Sequence, residues 1–154
     1  MAQYGERGAA RVACPMLIRL VYASRSTDCS AHDLPAILEW SRRVNPELEV
    51  TGVLCYLDGI YMQYLEGEES KVDALFKSIR ADRRHGSVTL LERRAISKRA
   101  FPEWSMALLE WDDNTRGIFR SFSPDAKLDF YAADPSTAAP MLRALVRAPG
   151  WKLT

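Results

Sequence analysis

The stretch VTGVLCYLDGIYMQYLEG, residues 50–67, decides the fold. Two apolar runs, Val50 to Tyr56 and Ile60 to Glu66, flank Asp58-Gly59. An Asp-Gly pair between β-rich segments marks a tight hairpin, because both residues tolerate the positive φ such turns need. With Asp58 and Gly59 as the loop, Leu57 pairs with Ile60, Tyr56 with Tyr61 and Leu54 with Gln63. Side chains alternate along a strand, so Gly52, Leu54, Tyr56, Tyr61, Gln63 and Leu65 share one face. Val53, Cys55, Met62 and Tyr64 take the other. Both faces are largely apolar, and Gln63 is therefore expected among buried side chains. Its amide has donors and an acceptor to satisfy, and leaving one unpaired costs about 1–3 kcal/mol. It is either a core amide tying backbone segments together or a group that meets a ligand.

Outward from this hairpin, 154 residues with 47% hydrophobic and 27% charged content read as one soluble globular domain. A chain of this size buries about 68–70% of its unfolded surface without staples. A net charge of +1 gives no electrostatic reason to expect nucleic acid or an anionic membrane as a partner. Cys14, Cys29 and Cys55 lack metal-ligand spacing, and with two distant histidines no metal site is expected. An odd thiol count suits a reduced, cytoplasmic setting. No apolar run approaches the ~20 residues of a membrane span, and no signal-peptide pattern precedes the first strand.

Residues 1–15 read as a loose tail. Leu17 to Ala23 is a strand with Arg19, Leu17 and Val21 on one face and Ile18, Leu20, Tyr22 and Ser24 on the other. A cation prefers an open or rim face, which turns Tyr22 into the core. Asp33 to Asn45 is a helix whose start is set by Pro35. Leu34, Ile37, Leu38, Ser41, Val44 and Asn45 form its inward stripe, with Glu39, Arg42 and Arg43 pointing away. Ile37, Ser41 and Asn45 succeed one another at four-residue spacing, so this stripe turns polar towards its end. Asn45 then reads either as a cap before Pro46 or as part of a polar site. Gly67 to Arg84 is a second helix, buried through Val72, Leu75, Phe76 and Ile79. The Asp82-Arg83-Arg84-His85-Gly86 run after it suffices as capping chemistry, or serves to hold a phosphate or ribityl chain. Val88 to Ile96 and Trp104 to Leu109 are the last strands, with Trp104, Met106 and Leu108 on one face.

The order β-α-β-β-α-β-β predicts an α+β, ferredoxin-like domain: a five-stranded mixed sheet with two helices on one face. The other face is apolar and needs cover. Short amphipathic helices over Asn114 to Phe122 and Thr137 to Ala148 either pack on it or form a dimer seam. The chain divides into the tail 1–15, the domain 16–110 and a helical extension 111–154. Between the two helices, Tyr22, Gln63, Ser41 and Asn45 converge, with Ile37 and Ile79 as aliphatic walls. Apolar walls with few convergent polar groups are the usual form of a small-molecule site. There is no His or carboxylate beside a Ser or Cys, and no phosphate-cradling glycine loop. An acylphosphatase-like hydrolase using Arg25 and Asn45 lacks its glycine-rich cradle, and an interaction module with no bound small molecule is the other alternative.

Leu20-Val21-Tyr22-Ala23-Ser24, Asn45-Pro46, Thr51-Gly52-Val53-Leu54-Cys55-Tyr56, Gln63-Tyr64-Leu65-Glu66-Gly67-Glu68, Asp82-Arg83-Arg84-His85 and Trp104-Ser105-Met106 occur in this order on that pattern. From about Met16 to Leu109 the chain thereby resembles the BLUF domain, a blue-light sensor that uses FAD. The resemblance implies a non-enzymatic photoreceptor of the short, stand-alone type, with FAD bound non-covalently between the helices. Asn45 would meet the pyrimidine edge of the ring, Ile37 and Ile79 would sandwich it, and Ser41 and Leu54 would complete the lining. Asp82, Arg84 and His85 would lie along the ribityl and phosphate side. Tyr22 would give an electron and a proton. Gln63, bridging Tyr22 to the ring, would end rotated or tautomerised, giving a modest red shift. Trp104 and Met106 would relay the change through the last strand and the C-terminal helices to a separate effector protein. A homo-oligomer is expected as well.

Overall fold

Strand β1 spans Leu17–Ser26, helix α1 Leu34–Val44, β2 Thr51–Leu57, β3 Ile60–Glu68, α2 Glu69–Ala81, β4 His85–Ala95, β5 Ala107–Leu109 and α3 Asp113–Phe122. The computed structural model describes residues 16–26, 34–57, 59–83, 85–102, 105–109 and 113–122, and residues 140, 141, 143–145 and 147. The tail over 1–15, Cys14, Cys29, Asp58, Arg84 and Trp104 lie outside the described residues.

The strands form one sheet in the order β4-β1-β3-β2-β5. β3 is antiparallel to both β1 and β2, β4 is antiparallel to β1, and β5 runs parallel to β2. This is the ferredoxin-like α+β arrangement with one added edge strand, as the element order predicts. The hairpin register is the expected one: Leu57 opposite Ile60, Tyr56 opposite Tyr61 and Leu54 opposite Gln63. Gly59 takes φ 83°, the left-handed region that favours glycine in such a turn. Gly52 is required for another reason, since a Cβ there would stand 1.9 Å from the Tyr64 carbonyl oxygen.

Two cores lie on the two sides of the sheet. Under α1 and α2, Ile18, Leu20, Tyr22, Leu54, Tyr61 and Leu65 pack against Ile37, Leu38, Val72, Leu75, Phe76 and Ile79. On the reverse side, Val53, Cys55, Met62 and Tyr64 pack with Phe119 of α3 and with Met141 and Leu145. Those last three side chains are fully buried, which stabilises the covering by about 1.5–3 kcal/mol apiece. The C-terminal helices thus pack on the second face, and every residue from Ile60 to Gly67 is buried.

Several sequence expectations shift. The second helix begins at Glu69 rather than Gly67, because Gly67 and Glu68 continue the ladder opposite Ile18 and Leu17. β4 begins earlier than expected, since His85 and Gly86 pair with Ser26 and Arg25. Among the described residues β5 covers Ala107–Leu109, and Ser105 and Met106 precede it outside the ladder. Arg19 is not on an open face: it is 9% exposed and holds Glu92 of β4 through Nε (3.1 Å) and Nη2 (3.0 Å). A paired guanidinium tolerates the burial that an unpaired one would not.

Candidate functional site

The central pair of the site follows from register. Tyr22 of β1 stands opposite Gln63 of β3, and both side chains project towards the helices. Tyr22 is wholly buried, its ring tilted against Phe76 at 5.4 Å and edge-on to His85 at 6.1 Å. Its hydroxyl donates to Gln63 Oε1. Burial holds the Tyr22 phenol far above its ordinary pKa, and Asp82 and Tyr61 push it the same way. The group is therefore a neutral phenol with its proton already directed at an acceptor. The other end of the amide, Gln63 Nε2, donates to Met106 Sδ at 3.3 Å. Sulfur is a weak acceptor, so this contact is the softer of the two.

Asn45 follows the end of α1, where its main chain is held from both sides. Its N–H donates to the Ser41 carbonyl at 2.8 Å, and its own carbonyl accepts from Val50 at 2.9 Å. The side chain donates from Nδ2 to the Ser105 carbonyl at 2.7 Å. Asn45 Oδ1 is buried with no hydrogen-bond partner among the described residues. The backbone of Asn45 thus ends the helix, while its side-chain amide ties that end to the segment before β5 and keeps one oxygen unpaired. Arg42, expected to point away, instead donates from Nε to the Met106 carbonyl at 3.2 Å. Its long side chain reaches past the helix rim to the segment before β5.

Ile37, Leu54 and Ile79 are buried in the same core as Tyr22, and Ser41 is buried on the same helix. His85 is buried at the start of β4, with Nδ1 2.7 Å from Ser24 Oγ and its ring 5.1 Å from that of Tyr61. Asp82 is half-buried, and its carbonyl accepts from the His85 N–H. Arg84 and Trp104 lie outside the described residues. The structure adds three participants that sequence reasoning did not single out. Ser24 lies on the predicted Tyr22 face, so strand parity alone could have nominated it. Arg42 stands one helical turn after Leu38, whose burial hinted at its reach. Ser105 acts through its carbonyl, which no side-chain pattern can flag.

The family model described as sensors of blue light using FAD matches residues 17–107. The chain belongs to the BLUF family. It is 38% identical over 92 residues to the photoactivated adenylate cyclase subunit beta of Euglena longa, covering 58% of this chain and 11% of that protein. The chain thus spans about a ninth of the length of this curated relative. Among solved structures it is similar to the ground state of BlsA, with 29% identity and TM-score 0.79 over 90% of this chain and 91% of that one. It is likewise similar to the dark-state structure of BlrB, a BLUF protein, with 30% identity and TM-score 0.70 over 86% and 96% of the two chains.

The chain is thereby placed in a blue-light photoreceptor family whose cofactor is FAD. The residues present suit that group. An orphaned amide oxygen at Asn45 can accept from a ring N–H, aliphatic side chains at 37, 54 and 79 suit a flat apolar body, and the Tyr22–Gln63 pair offers a redox-active phenol coupled to an amide. Among the described residues no helix is long and apolar enough to cross a membrane.

Proposed function

We propose that this BLUF chain is a light switch in which Tyr22, Gln63 and Met106 form the hydrogen-bonded line that rearranges. The observation that carries the reading is the buried Tyr22 hydroxyl on Gln63 Oε1, with the opposite end of that amide on Met106. In this reading Ile37 and Ile79 wall the flavin ring, Ser41 and Leu54 complete its lining, and Asn45 binds its pyrimidine edge. Asp82, Arg84 and His85 follow the ribityl and phosphate side. When bound, FAD supplies a blue-light-absorbing oxidant beside the Tyr22 phenol. Tyr22 is the side chain suited to release an electron together with its hydroxyl proton, and Gln63 Oε1 is the acceptor already in place. An amide that takes up that proton must change tautomer or turn, because it carries its donor and acceptor at opposite ends. Either change alters what faces Met106 Sδ. Exchanging one buried hydrogen bond for another shifts energies by about 1–3 kcal/mol, which matches ordinary coupling between sites.

The chain itself acts as a sensor rather than an enzyme, and Trp104 and Met106 pass the change through β5 and the C-terminal helices to a separate effector protein. Relatives linked to cyclase activity, and a blue light- and temperature-regulated antirepressor in Escherichia coli, support the idea that such sensors serve different outputs. A homo-oligomer in the cytoplasm is the working form we propose. The test is an absorption spectrum of the FAD-loaded protein before and after blue light. A reversible red shift is expected, absent in Gln63→Leu and Tyr22→Phe. A colourless protein that takes up no added FAD, or a normal shift in Gln63→Leu, would overturn the reading.

A further inference from the structure

Gln63 Nε2 donates to Met106 Sδ, and the contact exists only while that sulfur stays in place. A methionine fixes its sulfur poorly by itself. The side chain is unbranched with three rotatable bonds, and sulfur is a weak acceptor that adds little hold of its own. Met106 also precedes the ladder, which pairs β5 with β2 from Ala107 onward. The residue is nonetheless 3% exposed with its sulfur on Gln63, so what holds its main chain matters to the site.

The hold comes from the end of α1. Asn45 Nδ2 donates to the Ser105 carbonyl at 2.7 Å, and Arg42 Nε donates to the Met106 carbonyl at 3.2 Å. Two consecutive carbonyls are thus taken from the helix that also carries the buried Ile37 and Ser41. Arg42 and Gln63 grip Met106 at opposite ends, one at the main chain and the other at the sulfur. The ordinary account of a cation in a last helical turn is the helix dipole. Exposed Arg43, in the same turn, meets that need equally well. Arg42 instead runs half-buried along a groove of about 420 Å³ shared with Leu38 and Leu108, which leaves room for other side chains at 42.

We propose that Arg42 is a positioning residue for the switch: by holding the Met106 carbonyl it keeps the Met106 sulfur within reach of Gln63. The proposal rests on the Tyr22–Gln63–Met106 reading given above and adds the residue that sets one end of that line. After illumination, return to the dark arrangement requires Gln63 Nε2 to regain the sulfur. With the carbonyl released, the sulfur is on target for less of the time, and the return slows.

The test is the dark lifetime of the light-induced absorption shift in the FAD-loaded protein. It is measured for the wild type, Arg42→Met and Arg42→Gln, each alone and combined with Met106→Leu. Methionine and glutamine reach equally far from the backbone, and both are uncharged. Glutamine ends in an N–H donor at the place of the arginine Nε, whereas methionine ends there in a methyl group. Arg42→Met is expected to recover about 5-fold more slowly, one lost hydrogen bond felt partly at the barrier, and Arg42→Gln within about 2-fold of the wild type. In the Met106→Leu background no sulfur needs placing, so Arg42→Met should add no further slowing. A role in helix stability alone would slow both backgrounds alike and would not separate glutamine from methionine.

A second readout, independent of the photochemistry, is the isotope-labelled methyl signal of Met106 in the dark, assigned by its loss in Met106→Leu. It should keep its position in Arg42→Gln and shift or broaden in Arg42→Ala. Arg42→Ala also replaces Arg42→Met in the kinetics should the latter fail to hold FAD. The proposal is overturned by an unchanged or faster recovery in Arg42→Met, by equal slowing in Arg42→Met and Arg42→Gln, by the same slowing in both backgrounds, or by an unmoved Met106 signal in Arg42→Ala. A wild type that shows no absorption shift is a different failure, that of the switch reading itself, and takes the proposal with it.

Discussion

The Tyr22–Gln63 bond makes a quantitative prediction about stability as well as photochemistry. Gln63→Leu removes the acceptor of the Tyr22 hydroxyl, which has no exposure to water. Stranding a buried hydroxyl costs about 1–3 kcal/mol. Tyr22→Phe strands Gln63 Oε1 instead, at a similar cost. In the double variant both partners become apolar with little change of shape, which is close to neutral. The bond from Gln63 to Met106 Sδ is lost in the single Leu variant and in the double, so it cancels from the cycle. The coupling, the sum of the two stranding penalties that the double variant avoids, is therefore about 2–6 kcal/mol in its favour. For a chain of this length each kcal/mol moves Tm by about 2–4 °C, so the double should melt about 4–24 °C above the sum of the single effects. Urea unfolding at one saturating FAD concentration, with Kd measured for each variant, lets the ligand's own contribution be subtracted. Additivity within about 0.5 kcal/mol would refute the bond as a stabilising element. A light-induced shift surviving in any of the three variants would separate the bond from the switch.

Gly52→Ala places a methyl group 1.9 Å from the Tyr64 carbonyl oxygen, which is backbone and cannot swing aside. A loss of about 1–3 kcal/mol or more is expected by urea titration, and an unchanged midpoint would show that β2 and β3 part easily. Asn45→Ala should weaken flavin binding about 10-fold, the equivalent of one lost hydrogen bond, as read from quenching of flavin fluorescence. Wild-type affinity in that variant would remove Asn45 from the site. Burial raises the pKa of Glu66 above 4.5, against the pull of the Ala100 and Phe101 N–H groups and of Arg99. The folded state then holds this proton more tightly than the unfolded chain. The stability it contributes is full below about 4.5 and is lost as pH rises through the raised value. Unfolding midpoints measured across that range should fall with pH in the wild type and more gently in Glu66→Gln, and equal slopes would count against the assignment.

The strand registers were legible because β-structure has a period of two, and a one-residue slip would have exchanged the two cores. Asp58-Gly59 fixed that register, so the face of Gln63 followed directly. The face of Tyr22 followed through a less secure step. Arg19 argues for an open or rim face, and the parity holds although the face is closed, since Glu92 neutralises the guanidinium there. The start of helix α2 falls two residues later than the periodicity suggests, because Gly67 and Glu68 continue the ladder to β1, which a helical stripe beginning at Val72 does not reveal. The contacts of Arg42 and Asn45 to the Met106 and Ser105 carbonyls were not legible at all. They join segments about 60 residues apart through main-chain acceptors, and local pattern says nothing about which carbonyl meets which helix.

Those contacts bear on how a change at one amide can be felt elsewhere. The stretch from Arg99 to Met106 is pinned at two ends by different chemistry. At one end Arg99 donates to Thr51 Oγ1 at 3.0 Å and to the carbonyls of Glu66 (3.0 Å) and Glu49 (2.6 Å), while Glu66 accepts from the Ala100 N–H at 2.9 Å. At the other end Asn45 and Arg42 hold main-chain carbonyls, and Gln63 holds the Met106 sulfur. Of these anchors, the Gln63 contact is the one made by a group bonded to Tyr22. It is also the weakest by acceptor type. In the switch proposed above, proton movement at Tyr22 would loosen that one anchor and leave the others in place. Beyond it, β5 is tied to β2 over Ala107–Leu109, a length with little ladder energy to resist. Short, lightly anchored elements are where proteins open first, and a signal leaving this site is expected to emerge there and at Phe101, against Tyr64.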